Sequence, residues 1–174
     1  FRSAFFNELD PSGLHFYQID IDSFLQQMIP LNNPGFNYSC SLIHDISDVY
    51  LLRMKESDSI LDILLTQQLD YSEPDTIVLN KKNNNNILLL KNIEEKKNWW
   101  KKYIKYMTLY RYYQDYADSS GIDLQGLFTR KEEKYKKLAI EKEKNKIRKK
   151  THDQKLLYSR ITDEFLMAIA QSFD

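Results

Sequence analysis

The chain has 174 residues, of which 42% are hydrophobic and 13% aromatic. That is enough apolar matter for one packed domain, or one domain with an arm, and it excludes a compositionally disordered chain. Formal charge sums to zero, but residues 1–80 carry 3 basic and 12 acidic side chains while residues 81–174 carry 22 and 13. A separation of this kind points to two surfaces with different partners. The most apolar short run, Ile87 to Leu90, ends at Lys91, so no membrane span is expected. The single cysteine, Cys40, excludes an internal disulfide and fits a reducing compartment. The first residue is Phe1 and no signal sequence follows it, which reads as a processed or fragmentary start.

In chain order, Tyr17, Ile19 and Ile21 alternate with Gln18, Asp20 and Asp22, a period of two that predicts a half-buried strand over 14–21. Asp22 or Ser23 then caps a short helix over 23–29 carrying Phe24, Leu25 and Met28. Pro30 and Asn32-Asn33-Pro34-Gly35 are turn chemistry, and alternation over 36–43 predicts a second strand. Helical spacing covers 47–69, until Ser72-Glu73-Pro74 breaks it. Thr76 to Leu79 and Ile87 to Leu90 read as the strands of a hairpin with an Asn-rich tip.

The second half is expected to be helical. Over 93–118, Trp99 or Trp100, Tyr103, Met107 and Tyr110 recur at three to four residues and predict a core stripe packed against the hairpin strands. Ser119-Ser120-Gly121 stops that helix. From Thr129 to Lys155 apolar residues are sparse, and a helix polar nearly all round bridges solvent or lies on another molecule. Phosphate or acidic-protein contact therefore falls to Lys131, Lys134, Lys136, Lys137, Lys142, Lys144, Lys146, Arg148, Lys149 and Lys150. Thr162 is placed as the cap of a last amphipathic helix with Phe165, Leu166, Ile169 and Phe173.

Catalytic chemistry is hard to find. Cys40 and His44 are four apart at a predicted strand end, where helical spacing does not bring them together. Asp20 and Asp22 would share one face of a strand, so chelation is geometrically allowed, yet an exposed strand face running into a cap explains them better. Four glycines and no phosphate-loop pattern exclude a backbone phosphate cradle. No catalytic residue, cofactor or metal site is expected. Asn37-Tyr38-Ser39 matches a glycosylation triplet of a kind common by chance.

The predicted order strand, helix, strand, helix, hairpin, helix over 14–118 resembles the thioredoxin-like fold. Pro74 stands where that fold often places a cis proline, and Asp20-Ile21-Asp22-Ser23 stands where its redox pair would be. Without a C-x-x-C pair, oxidoreductase activity is not implied. The run Ile87-Leu88-Leu89-Leu90-Lys91-Asn92 before the last helix is similar to that of redox-inactive thioredoxin-like mitochondrial ribosomal proteins. The expectation is thus an α+β domain with a small mixed sheet over 1–92, followed by a helical basic arm over 93–174. It implies a non-catalytic structural subunit of the mitochondrial ribosome, contacting ribosomal RNA through the arm and neighbouring subunits elsewhere. The alternative is an accessory subunit of a protein-only mitochondrial complex, such as the respiratory chain or ATP synthase.

Overall fold

A computed structural model describes residues 2–28, 40–72, 76–77, 82–83, 86–87, 89–116 and 123–171. Six helices account for most of them: α1 (Arg2–Leu9), α2 (Gln18–Met28), α3 (Cys40–Thr66), α4 (Ile93–Tyr116), α5 (Leu124–Thr151) and α6 (Gln154–Ala170). The strands among the described residues, β1 (Lys82–Asn83) and β2 (Asn86–Ile87), form one antiparallel two-residue ribbon inside the asparagine run. The fold is all-α, which corrects the expected α+β class and its thioredoxin-like sheet.

The strand expected over 14–21 is overturned by burial. Ile19 is 69% exposed, while Ile21, Phe24 and Met28 are buried at intervals of three and four, so helical rather than alternate spacing feeds the core. The Tyr17 N–H donates to the Asp20 carboxylate at 2.9 Å, the return bond of a capping box that starts α2 at Gln18. All that remains of a strand is a single parallel bridge between Tyr17 and Leu90, in which the Gln18 N–H donates to the Leu90 carbonyl at 2.9 Å. In the expected strand over 36–43, residues 36–39 lie outside the described residues, and 40–43 form the first turn of α3, where Leu42, Ile43, Ile46 and Tyr50 are buried. The expected hairpin is likewise corrected. Residues 78–79, 80–81, 84–85 and 88 lie outside the described residues, as do the turn at 30–35, Pro74, Ser119-Ser120-Gly121 and Phe173; Ile87 belongs to the short ribbon and Leu89 to irregular chain.

The later helices start at clear caps. Asn92 accepts from the N–H groups of Glu94 and Glu95 at 3.1 and 3.0 Å, and Glu95 returns to the Lys91 N–H at 2.9 Å. Asp123 caps α5 through the Gly126 N–H, and Asp153 caps α6 through the Leu156 N–H, both at 3.0 Å. Thr162, expected as the cap of the last helix, is inside it and turns its hydroxyl back to the Tyr158 carbonyl at 2.8 Å.

α4 and α5 lie along each other, α5 also packs on α3, and α6 packs on α1 and α3. One buried cluster draws Phe5, Phe16, Phe24, Tyr50 and Met54 from the first half and Trp100, Ile104, Ile140, Ile161 and Phe165 from the second. The helix over 124–151 is polar in composition, yet it buries Tyr135, Ala139, Ile140 and Ile147 along one side. The aromatic stripe of α4 meets α5 and α3, and Trp99 also packs on the small cluster of Leu14, Tyr17 and Leu90, where Leu89 is irregular chain and Leu90 a single bridge rather than a hairpin strand. No helix of the described residues is long and apolar enough to cross a membrane.

Candidate functional site

Asp20, weighed from the sequence as one half of a metal-binding pair, is fully engaged. Its two oxygens accept from Arg53 Nε at 2.8 Å and Nη2 at 2.7 Å, and one of them also takes the Tyr17 N–H. Asp22, two positions on along α2, points away from it and accepts from Gln18 Nε2 at 2.9 Å on the exposed side. Among the described residues no group of three or more His, Cys, Asp or Glu side chains could hold a metal ion. His44 is stacked on Tyr158 with ring centres 4.2 Å apart, and the Cys40 side chain lies outside the described residues, as does Asn37-Tyr38-Ser39.

The basic residues singled out along α5 are not one surface. Lys136 is buried, with its Nζ donating to the Gln67 carbonyl at 3.0 Å and to Glu133 at 2.7 Å. Lys144 is buried against Asp62 and Asp58, the latter at 3.3 Å. Lys131 donates to the Tyr116 hydroxyl, Lys137 faces Glu141 at 3.9 Å, and Lys146 pairs with Glu143 at 2.8 Å. Lys134 lies over the Tyr135 ring, 5.3 Å from its centre. Lys142, Arg148, Lys149 and Lys150 are exposed. Lys131, Lys136 and Lys144 thus tie α5 to α4, to Gln67 just after α3, and to α3.

A different place concentrates chemistry. A groove of about 540 Å³ opens between α4, α5 and the loop after α1. Trp99, Trp100, Tyr103 and Met107 of α4 form one wall, Ile147 and Lys150 of α5 face them, and Met54 of α3 lies between. Trp99 stacks on Tyr103 with centres 4.8 Å apart and planes 14° from parallel, and Trp100 meets Tyr103 edge-on at 5.8 Å. The wall is rigid because the tryptophans differ: Trp100 is 4% exposed and anchored in the core, while Trp99 is half-buried on the groove side. Adjacent residues on a helix point about 100° apart, so only one of the two can face the core.

The loop end is built by Asp10. Its buried carboxylate accepts from the N–H groups of Leu14, His15 and Phe16 at 3.1, 2.6 and 3.1 Å, and from the Ser12 hydroxyl at 3.0 Å. The chain turns back at Gly13, whose φ of 65° is the left-handed conformation glycine adopts without strain. Leu14 and His15 are thereby fixed as the groove's end. Burial pulls the His15 pKa down to about 4 against the opposing pull of Asp10, with Lys150, Lys96 and Arg160 acting in the same direction as burial. The ring is therefore neutral at pH 7. Its Nε2 lies 3.5 Å from Lys150 Nζ, which can only donate, so the proton is assigned to Nδ1. Among the described residues neither His15 Nδ1 nor Trp100 Nε1 has a hydrogen-bond partner.

The family model described as the tail specific protease N-terminal domain matches residues 1–174. The chain belongs to this family. By that description it is an N-terminal domain of a tail-specific protease. No curated protein and no solved structure matches it. This assignment overturns the resemblance to mitochondrial ribosomal proteins, and with it the ribonucleoprotein role and the alternative of a respiratory or ATP-synthase subunit. The resemblance rested on an order of strands that the described residues do not show. The groove itself had a trace in the sequence, the adjacent pair Trp99-Trp100. What no spacing rule could show is that the loop at 12–15 and Lys150, 135 residues apart, close one end of it.

Proposed function

We propose that this domain is not itself an enzyme and serves a tail-specific protease by holding polypeptide in the aromatic groove between α4, α5 and the Asp10-built loop. The observation that carries this reading is the groove wall: Trp99, Tyr103 and Met107 present a continuous apolar surface fixed from behind by buried Trp100. Rigid aromatic rings lose little side-chain freedom on contact, which is why such surfaces favour protein ligands. A groove of about 540 Å³ is also within the ordinary range of binding pockets. Membership of a protease family supports a polypeptide, rather than a small metabolite, as the occupant.

The test uses a convenience of the sequence. The chain has two tryptophans, and both line this groove. Titration with a reduced, carboxymethylated, tryptophan-free protein should shift the intrinsic fluorescence saturably. The shift should disappear in Met107→Glu, which places a charge on the wall, provided thermal melts show that variant to be folded. An unfolded polypeptide that leaves the emission unchanged at saturating concentration refutes the reading.

A further inference from the structure

Lys150 lines two cavities. One is the aromatic groove; the other, of about 360 Å³, lies at the turn between α5 and α6 and is lined by Lys149, Arg160 and Leu156 among others. Lys150 is common to the two linings, so a chain seated on the tryptophan wall that reaches Lys150 is also at the edge of the second cavity. Their chemistries differ. Around Lys150 the second cavity carries three cations, Lys149, Lys150 and Arg160, and among the described residues none of the three has a carboxylate within ion-pair distance. Of its two acidic residues, Asp153 is occupied as the α6 cap, leaving Asp163.

We infer that the site takes an extended peptide segment in which an apolar, aromatic-rich stretch runs directly into acidic residues, the first seated on the tryptophan wall and the second across Lys150 toward Lys149 and Arg160. This rests on the reading of the groove as a polypeptide site and adds the chemistry of what it selects. Two facts support the acidic half. Lys150 donates to a neutral imidazole rather than to a carboxylate, and the Asp10 carboxylate, which acts on it only through space, is already bound by three main-chain N–H groups. Desolvation first, and then the Arg160 guanidinium, hold Lys150 below the ordinary lysine range against the opposing pull of Asp10. An arriving carboxylate relieves both.

The experiment compares three tryptophan-free peptides, each blocked at both termini so that no terminal carboxylate contributes. One carries Leu-Phe-Leu followed by three Glu, one has Gln in place of Glu, and one has the Glu run alone after Gly-Ser-Gly. Binding to the 174-residue chain is read by tryptophan emission and by calorimetry. The Glu peptide should bind at least tenfold more tightly than the Gln peptide at low ionic strength, with the preference shrinking as salt is raised. In Lys149→Gln with Arg160→Gln, exposed positions that line the second cavity and not the groove, the preference should collapse while the affinity for the Gln peptide stays as in the wild type. Equal affinity for the Glu and Gln peptides overturns the inference and leaves the groove reading standing. Binding of the Gly-Ser-Gly peptide as tight as that of the Leu-Phe-Leu peptide also overturns it, since the site would then be a plain anion site. If no peptide binds, the groove reading falls with it.

Discussion

Lys96 Nζ lies 2.7 Å from the main-chain oxygen of Arg53, so a fully buried ammonium on α4 is tied to the backbone of α3. The same ammonium is 3.4 Å from Glu56 and 5.3 Å from the centre of the Tyr17 ring. Glu56 in turn accepts from the Tyr17 hydroxyl at 2.8 Å and pairs with Arg53. Helices α2, α3 and α4 therefore meet at a knot of charge inside an otherwise apolar packing.

That knot gives the domain a pH signature. Burial lowers the Lys96 pKa from 10.5 to about 8, with Glu56 opposing the shift. Between those values the unfolded chain holds a proton that the folded chain has released, so this group makes stability rise as pH increases from 8 to 10.5. Tyr17 acts in the opposite sense and later. Its hydroxyl is raised above its ordinary value of 10.0 by burial and by its bond to Glu56, so it contributes stability that is present below that value and lost above it. Urea midpoints at pH 7.5 and 9.5 should show the wild type gaining about 1–2 kcal/mol relative to Lys96→Met. A wild type and variant that move in parallel over that range would show Lys96 to be charged throughout.

The two tryptophans should separate in stability. Trp100→Ala removes a ring that is 4% exposed and part of the main core, a loss of about 3–5 kcal/mol. Trp99 is half-buried and stacks on Tyr103, so Trp99→Ala should cost less than Trp100→Ala, about 1 kcal/mol, while weakening polypeptide binding. Chemical denaturation of both variants decides it; equal losses would mean that both rings are core and that neither belongs to a binding wall.

Asp20 and Asp22 should behave unlike each other. Asp20→Ala breaks a two-bond ion pair with Arg53 and the start of α2 together, for which about 2–4 kcal/mol is expected. Asp22→Ala, on the exposed side, should stay within about 0.5 kcal/mol. Similar losses from the two substitutions, or stabilisation of the wild type by an added divalent ion that either substitution removes, would restore the chelating pair.

Asp10→Asn tests the loop that ends the groove. Losing the carboxylate charge weakens three main-chain bonds at once, with a cost of about 2–3 kcal/mol. Hydrogen exchange at the amides of Leu14, His15 and Phe16 should accelerate well beyond that of α5. Unchanged protection at those amides would mean that the loop is held by something other than Asp10.

The sequence was legible where helices carried their own caps and period. The segment 93–118 reads as a helix from its spacing, and α4 runs over Ile93–Tyr116. The stripe was right in part: Trp100 is core, but Tyr110 is 47% exposed. The failure over 14–21 has a clear cause. Tyr17, Ile19 and Ile21 satisfy a period of two, while Ile21, Phe24 and Met28 satisfy a helical one, and short apolar runs fit both. The deciding signal was Asp20, three residues after Tyr17, which makes a capping box rather than the polar face of a strand. Along α5, lysine-rich composition hid the burial of Lys136 and Lys144, whose partners Gln67 and Asp62 lie 69 and 82 residues away. The groove was illegible for the same reason: its walls come from four separated parts of the chain, and adjacency in space leaves no mark on spacing.

Phe5 of α1 meets Phe165 of α6 edge-on, with ring centres 5.3 Å apart. During vectorial synthesis the first helix must therefore wait for the last one to leave the ribosome. At about 5–20 residues per second, that interval is on the order of 10–30 s. Over that time Phe5, Phe6 and Leu9 lack the α6 side of their packing, and this is the period in which a nascent-chain chaperone would have an apolar helix to hold.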